Sequence, residues 1–252
     1  PFRQPATARG ARRSALHDRL AARGACFGET AGWERANWFA PEGVEPVYEY
    51  SYGRQNWFEH SAAEHRAVRE GVGLFDQSSF AKYVVQGADA ERVLNRICTN
   101  DIAVPEGRIV YTQWLSDEGG IEADLTVTRL AGDRFLVVTA AATQIRDLAW
   151  LTGHVPSKAR CSVEDVTSAY AVVSVMGPLS RELLQPLTLT GLDNDEFPFG
   201  TSREIDLGYA KVRASRITYV GELGWELYVP TEFATGVFDV LTEAGAGLGA
   251  SL

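Results

Sequence analysis

The sequence has few of the residues that build disulfide frameworks or metal sites. Its 252 residues include only 3 cysteines and 4 histidines. Cys26, Cys98 and Cys161 show no C-x-x-C spacing, and the histidines show no metal-ligand spacing. The sequence therefore indicates neither a disulfide framework nor a zinc site, and we expect buried thiols in a reducing compartment.

Two further absences exclude classes of partner. No apolar run approaches the roughly 20 residues that a membrane span needs, so we expect no membrane partner. The net charge of -9 opposes binding to nucleic acid, whose phosphates require a basic surface, so we expect no nucleic-acid partner. A hydrophobic content of 45% is ordinary for a globular protein, and the length allows one large domain or two closely packed ones.

Hydrophobic periodicity predicts alternating groups of strands and helices. A segment at 28–58, rich in glycine, proline and aromatic residues, is expected to be irregular and to wrap over a core. Helices are expected at 14–24, 61–70, 89–97, 143–151 and 232–244. Strands are expected at 73–76, 80–86, 108–115, 121–129, 134–139, 160–166, 169–176, 201–207, 209–219 and 224–229.

This order contains an approximate internal repeat. Tyr83-Val-Val-Gln-Gly87 followed by a helix to residue 97 is similar to Val172-Val-Ser-Val-Met-Gly177 followed by a helix to residue 187. Each copy continues into two long strands, a glycine-containing turn and another helix. We therefore expect an α+β fold of duplicated strand–helix units with mainly antiparallel sheets, rather than a doubly wound parallel sheet. The two halves are expected to form a ligand-binding cleft.

The strand after the diglycine turn at 119–120 contains the first candidate for chemistry. Apolar and polar residues alternate strictly along 121–128, so Asp124 shares one face with Glu122, Thr126 and Thr128. A carboxylate held in mid-strand among hydroxyl groups can move a proton or stabilise a charge on a small molecule. The alternative is that this face simply meets water, as antiparallel strands commonly allow.

Two other strands carry candidate ligand contacts. If 108–115 and 121–128 form a hairpin, Tyr111 lies beside Asp124 and can stack on a flat heterocycle; the alternative is an aromatic core residue. Glu226 alternates with apolar residues in Gly224–Val229, at the expected edge of the cleft. Its carboxylate suits a ligand with two parallel N–H donors, such as an aminopyrimidinone ring, and the alternative is a solvated strand glutamate.

Four stretches together carry a family resemblance. They are Ala63-Glu-His-Arg-Ala-Val-Arg-Glu-Gly-Val-Gly-Leu-Phe-Asp-Gln-Ser78, Thr99-Asn-Asp101, Gly119-Gly-Ile-Glu-Ala-Asp124 and Tyr219-Val-Gly-Glu-Leu-Gly-Trp-Glu226. The chain resembles, over roughly residues 13–250, the folate-binding domain of the glycine-cleavage T-protein (aminomethyltransferase) family. It is more closely similar to the version fused behind a flavin domain in dimethylglycine and sarcosine dehydrogenases.

The resemblance implies a function in one-carbon metabolism. It implies that the domain binds tetrahydrofolate and accepts a one-carbon unit from a methylamine-derived iminium or an aminomethyl donor, giving 5,10-methylenetetrahydrofolate. By position, Asp124 corresponds to the catalytic aspartate and Glu226 to the carboxylate that binds the pterin N–H groups. The other corresponding positions are the cleft tyrosines Tyr111 and Tyr219 and the pocket-lining residues Val84 and Thr126.

The resemblance also implies a longer protein. We expect residues 1–58 to join an upstream flavin domain and to wrap the core, and residues 59–252 to form a folate-binding domain truncated at its C-terminus. FAD is expected only in the upstream domain, in an N-methyl amine dehydrogenase located in the cytoplasm, or in the mitochondrial matrix of a eukaryote.

Val220 stands where the T-proteins have threonine, a change that the dehydrogenase branch tolerates. Two other departures leave a second function open: Ala123 stands where the family has one acid of an Asp-Asp pair, and the C-terminal part of the family domain is expected to be missing. The alternative is a non-catalytic folate-binding or regulatory module with the same fold.

Overall fold

The computed structural model describes residues 3–252, which form helices and strands in the following order along the chain. The helices are α1 (His17–Ala21), α2 (Phe58–Glu70), α3 (Ala90–Ile97), α4 (Gln144–Gly153), α5 (Ser180–Leu184) and α6 (Ala234–Ala246). The strands are β1 (Ala25–Thr30), β2 (Trp33–Phe39), β3 (Gly73–Asp76), β4 (Ala81–Gln86), β5 (Ile109–Leu115), β6 (Ile121–Ala131), β7 (Arg134–Thr139), β8 (Ser162–Asp165), β9 (Tyr170–Met176), β10 (Ser202–Leu207), β11 (Ala210–Ser215) and β12 (Gly224–Pro230). None of the helices in residues 3–252 is long and apolar enough to cross a membrane.

The chain divides into two compact units. Unit 1 contains the described residues up to Ser79 together with 170–199 and 204–252, and unit 2 contains 80–169 and 200–203. The main sheet of unit 1 has the strand order β10-β11-β12-β9-β3, and that of unit 2 has the order β5-β6-β7-β4-β8. Each sheet buries one face in its own core, which contains Trp225 and Leu227 in unit 1 and Leu125 and Val127 in unit 2.

The internal repeat predicted from the sequence is present in the structure. β4–α3–β5–β6–β7–α4 corresponds to β9–α5–β10–β11–β12–α6. Gly87 and Gly177 take positive φ angles of 128° and 132° at equivalent points, directly after the first of these strands. Their carbonyl groups accept hydrogen bonds from Ala90 N and Ser180 N at 2.9 and 3.0 Å. Both turns therefore start their helix in the same way.

One strand of each repeat joins the sheet of the other. β3 precedes β4 in the chain but pairs with β9, and β8 precedes β9 but pairs with β4. Both pairs are antiparallel, as are the pairs that β12 forms with β9 and β11. The α+β class with mainly antiparallel sheets is therefore confirmed.

The expectation of an irregular segment over 28–58 is wrong for its first part. β1 and β2 form an antiparallel hairpin in unit 1, with Thr30 paired to Trp33 across a two-residue turn. Ala31 and Gly32 in that turn both have positive φ angles, of 50° and 83°, as a type I′ turn requires. The glycine and aromatic residues that suggested a loop here form the tight turn and the partly buried strands of this hairpin.

The strand expected at 209–219 is also shorter than predicted. β11 ends at Ser215, and the chain turns away at Arg216, whose guanidinium donates to Phe197 O at 2.5 Å and to Asn194 Oδ1 at 2.7 Å. These bonds tie the side chain of Arg216 to another loop of unit 1. Tyr219 consequently lies outside the sheet.

Replacing Gly177 with alanine is expected to destabilise the fold. A Cβ atom at this position would lie 2.3 Å from Gly71 O and 2.8 Å from Val68 O, both of which are backbone atoms, and the positive φ adds strain. We expect the free energy of unfolding in urea to fall by about 2 kcal/mol or more. Gly236→Ala is the control, since its Cβ would meet nothing within 4 Å; an equal loss in both variants would contradict this explanation.

Candidate functional site

β6 holds Asp124 on the face of the unit 2 sheet that is opposite to the core. Ala123, Leu125 and Val127 are buried in that core, and the alternation of a strand turns the side chain between them the other way. Asp124 is exposed. Its carboxylate has no hydrogen-bond or ion-pair partner among residues 3–252. The structure therefore presents a fixed acceptor that no side chain of the protein neutralises.

The hairpin of β5 and β6 places two further side chains on the same face. Tyr111 pairs directly with Thr126, and Gln113 pairs with Asp124; directly opposed residues of an antiparallel pair share a face. Tyr111 is 58% exposed, so the alternative that it is a core residue is wrong. Thr126 is half-buried. The structure thus brings together Asp124, Tyr111 and Thr126.

The Thr99-Asn-Asp101 motif covers the free edge of β5. Thr99 N donates to Gln113 O at 3.0 Å, and Asn100 Nδ2 donates to Tyr111 O at 2.6 Å. Asn100 N also donates to the side chain of Thr112 at 3.0 Å. These bonds satisfy backbone groups that an edge strand would leave open. The motif therefore fixes the strand that carries Tyr111 and Gln113.

Val84 lies on the same face of the sheet but not beside Asp124. It belongs to β4, which β7 separates from β6, and it pairs with Leu136. Val84 is buried, as is the neighbouring Lys82, whose Nζ donates to Phe80 O at 2.8 Å. Within unit 2, Val84 therefore packs in the middle of the sheet and does not lie beside Asp124 and Tyr111.

Cys98 is the thiol in unit 2 that precedes this motif. Burial raises the pKa of its thiol to about 11. The thiolate, which is the nucleophilic form, is therefore scarce at neutral pH, and Cys98 offers no nucleophile beside β5.

Glu226 occupies a buried position on the main sheet of unit 1. Its neighbours Trp225 and Leu227 are in the core, whereas Glu226 lies on the opposite face and is only 7% exposed. The hydroxyl of Tyr228 donates to Glu226 Oε2 at 2.7 Å. The alternative of a solvated strand glutamate is therefore wrong. A buried carboxylate needs hydrogen-bond donors to remain ionised, and Tyr228 supplies one of them.

The surroundings of Glu226 include small polar residues. Ser174 and Ser215 are its direct neighbours on the two adjacent strands and are both buried. Ser174 Oγ donates to Gln77 Oε1 at 2.5 Å. Burial, followed by the nearby charge of Glu226, raises the pKa of Tyr228 well above its usual value, so Tyr228 stays protonated and remains a hydrogen-bond donor at every physiological pH.

Tyr219 lies in the segment between β11 and β12 and is 88% exposed. In this segment Gly221 has a φ of 83°, and Glu222 pairs with Arg69 of α2 at 2.5 Å. Tyr219 thus belongs to a surface loop of unit 1, in the same unit as Glu226 but not on the same strand.

A cavity of about 510 Å³ opens elsewhere in unit 1. Its lining includes Arg35, Glu64, His65 and Gln77, which come from β2, α2 and the end of β3. None of the residues predicted from the sequence as site residues lines it. Gln77 nevertheless connects the cavity to the surroundings of Glu226, since its side chain accepts a hydrogen bond from Ser174.

Comparison with known proteins identifies one protein family over most of the chain. The family model described as the GCVT N-terminal domain matches residues 16–252. The chain is 47% identical over 252 residues to 4-methylaminobutanoate oxidase (formaldehyde-forming) of Paenarthrobacter nicotinovorans, covering 100% of the chain and 30% of that protein. It is 32% identical to human mitochondrial sarcosine dehydrogenase, covering 98% of the chain and 31% of that protein.

A regulatory protein is also among the relatives. The mitochondrial pyruvate dehydrogenase phosphatase regulatory subunit of Mus musculus is 32% identical, covering 96% of the chain and 28% of that protein. The chain thus spans about a third or less of the length of these relatives. Members of one family therefore include both enzymes and a regulatory subunit.

A solved structure has the same fold. The glycine cleavage system aminomethyltransferase T from Bartonella henselae aligns with a TM-score of 0.75 at 25% identity, over 92% of this chain and 57% of that one. The resemblance to the T-protein and to the fused dehydrogenases, drawn from the sequence motifs, is confirmed by these matches.

Replacing Tyr228 with phenylalanine is expected to destabilise the protein. The change removes the donor to the buried Glu226 carboxylate, a charged hydrogen bond whose loss costs about 1.5–3 kcal/mol. Urea unfolding measures the difference. Tyr219→Phe removes the same hydroxyl from an exposed loop and should leave the free energy of unfolding within about 0.5 kcal/mol of the original. Equal stability of the two variants would show that the Tyr228 bond contributes nothing.

Proposed function

Since the chain belongs to the family of GCVT N-terminal domains, we propose that it binds tetrahydrofolate and serves in the transfer of a one-carbon unit to it. The observation that carries the proposal is the unpaired carboxylate of Asp124 on β6, beside the exposed ring of Tyr111. An unneutralised acceptor next to an aromatic face fits a heterocyclic ligand that carries amine nitrogens.

The residues that the family resemblance assigns to ligand binding are proposed to contact this ligand as follows. Tetrahydrofolate, when bound, supplies the amine nitrogens that take up the one-carbon unit. Glu226 would accept hydrogen bonds from the pterin N–H groups, with its carboxylate held by Tyr228. Tyr111 would stack on a flat ring, and Tyr219 and Thr126 would make further contacts. Val84 is proposed to support the site through packing.

Asp124 is proposed to act on the proton and the charge of the reaction. A carboxylate without a partner can accept the proton that an amine nitrogen loses when it forms a bond to carbon. The same negative charge stabilises a cationic one-carbon donor that approaches it. Both actions require Asp124 to be ionised and held in place, and the strand alternation holds it.

The protein around this domain is proposed from its relatives. We propose that an upstream flavin domain with FAD oxidises an N-methyl amine, and that this domain receives the resulting iminium or an aminomethyl donor. Residues 1–58 are proposed to join that flavin domain, and residues 59–252 to form the folate-binding part. A cytoplasmic location, or the mitochondrial matrix in a eukaryote, is proposed on the same basis.

A second candidate is a non-catalytic folate-binding or regulatory module. The kinship to the mouse regulatory subunit favours it, as does the loss of one acid of the family pair at Ala123. In that case the domain binds folate, or another ligand, but does not divert one-carbon units to it.

Replacing Asp124 with asparagine tests the catalytic proposal. In the full-length protein, supplied with tetrahydrofolate and an N-methyl amine, we expect the rate of methylenetetrahydrofolate formation to fall about 10²–10⁴-fold, because the proton acceptor is lost. Flavin reduction by the amine should be unchanged, and formaldehyde should be released in place of the folate product. Each quantity is measured in the same reaction.

The matched control is Asp117→Asn, in the exposed turn of the same hairpin. It should transfer at the original rate. Transfer by Asp124→Asn at the original rate would refute the assigned role of Asp124. A parent protein that releases all its formaldehyde despite saturating folate would favour the regulatory module instead.

A further inference from the structure

Gln113 is the direct cross-strand neighbour of Asp124. The two residues are paired in the register of β5 and β6, which places their Cβ atoms about 4.5–5.5 Å apart on one face of the sheet. Gln113 is half-buried, whereas Asp124 is exposed. An uncharged amide and a carboxylate therefore stand side by side on this face, close enough for neighbouring atoms of one ligand to reach both.

Thr99 determines which end of the Gln113 amide faces outward. Its hydroxyl donates to Gln113 Oε1 at 3.3 Å and accepts from Gln113 N at the same distance. The backbone of Thr99 is itself bonded to Gln113 O. The amide oxygen is thus engaged by the motif that covers the edge of β5, and the amide nitrogen is the remaining polar end.

That amide nitrogen has no hydrogen-bond partner among residues 3–252. It is not one of the buried side-chain atoms that lack a partner, so it is open to water or to an acceptor atom of a ligand. Asp124, directly opposite, likewise has no partner. Together the two side chains present a donor and an acceptor side by side, which complements a ligand with an acceptor atom next to an N–H group.

We propose that Gln113 is a ligand-contacting residue of the site, and that its amide nitrogen donates to an acceptor atom of the folate ring system beside the amine that faces Asp124. This inference rests on the proposed function and deepens it. It assigns the Thr99 hydroxyl a positioning role, because that hydroxyl holds the amide in the donating orientation. Gln113 binds and orients, whereas Asp124 takes the proton.

The test uses two variants of the full-length protein. Gln113→Leu removes the donor, and we expect the Kd for tetrahydrofolate, measured by calorimetry, to rise about 10-fold, with amine oxidation unchanged. Gln113→Glu keeps the shape but opposes a second carboxylate to Asp124. Like charges at this range disfavour ionisation, so the pH profile of transfer should move upward by about one unit.

Gln86→Leu is the matched control. Gln86 lies at the end of β4 in the same sheet and is exposed, so the same substitution there should leave the affinity unchanged. Thermal unfolding of every variant identifies a loss of fold. The Gln113→Glu profile then provides a second measurement, because a change in fold lowers the rate without moving its pH dependence.

The outcomes separate this inference from the proposed function. If the parent protein neither binds tetrahydrofolate nor transfers to it, the proposed function fails. If the parent binds and transfers, but Gln113→Leu has the parent affinity and Gln113→Glu has the parent pH profile, the assignment of Gln113 alone is overturned. Weaker binding together with a shifted profile supports it.

Discussion

The pleat of β6 is the constraint on which the candidate site of unit 2 depends. Ala123, Leu125 and Val127 are buried in the core. Successive side chains of a strand point to opposite faces, so Asp124 must lie on the face opposite to the core. A shift of one residue in register would bury the carboxylate and expose three apolar side chains, so packing energy holds the acid in place. Orientation, which a loop would have to achieve by many weak contacts, is here a consequence of the core.

Asp124 and Glu226 each occur in one copy of the internal repeat, and the equivalent position in the other copy holds a different kind of residue. Counting back from the equivalent glycines, Ser174 corresponds to Val84, and their partners on the next strand are Glu226 and Leu136. On the next strand of each sheet, Thr128 is paired with Leu136 and Ser215 with Glu226, so these two residues are equivalent. Four residues earlier, Asp124 of β6 is therefore equivalent to Lys211 of β11. The polar groups assigned to ligand binding are thus departures from the repeat, whereas the glycine turns and the buried strands are common to both copies.

Much of the architecture could be predicted because hydrophobic periodicity and turn-forming residues depend only on neighbouring positions in the sequence. The strands at 73–76, 121–129 and 134–139 and the internal repeat follow from alternation and from glycines before helices, and the structure contains them. The β1–β2 hairpin was missed because its turn places Ala31 at a positive φ, which composition does not signal. The end of β11 was missed because the bonds of Arg216 to Asn194 and Phe197 are long-range.

The site could be predicted only in part, for a similar reason. Motifs select Asp124 and Glu226 as candidates, and their roles stay predictions. The burial of Glu226 depends on the neighbouring strands, which alternation within β12 does not reveal. Gln113 was missed although it alternates with Tyr111 along 108–115. Its significance depends on the register that sets it opposite Asp124 and on the hydroxyl of Thr99, and both are tertiary facts.

The exchange of first strands between the two sheets sets an order for folding during synthesis. β3 finds its partner in β9 about 100 residues later, and β4 lacks one neighbour until β8 has been made. Translation proceeds from the N-terminus, so the ribosome must release most of the chain before either sheet can close. Until then the growing polypeptide carries open strand edges, and β9 itself keeps one open edge until β12 has been made.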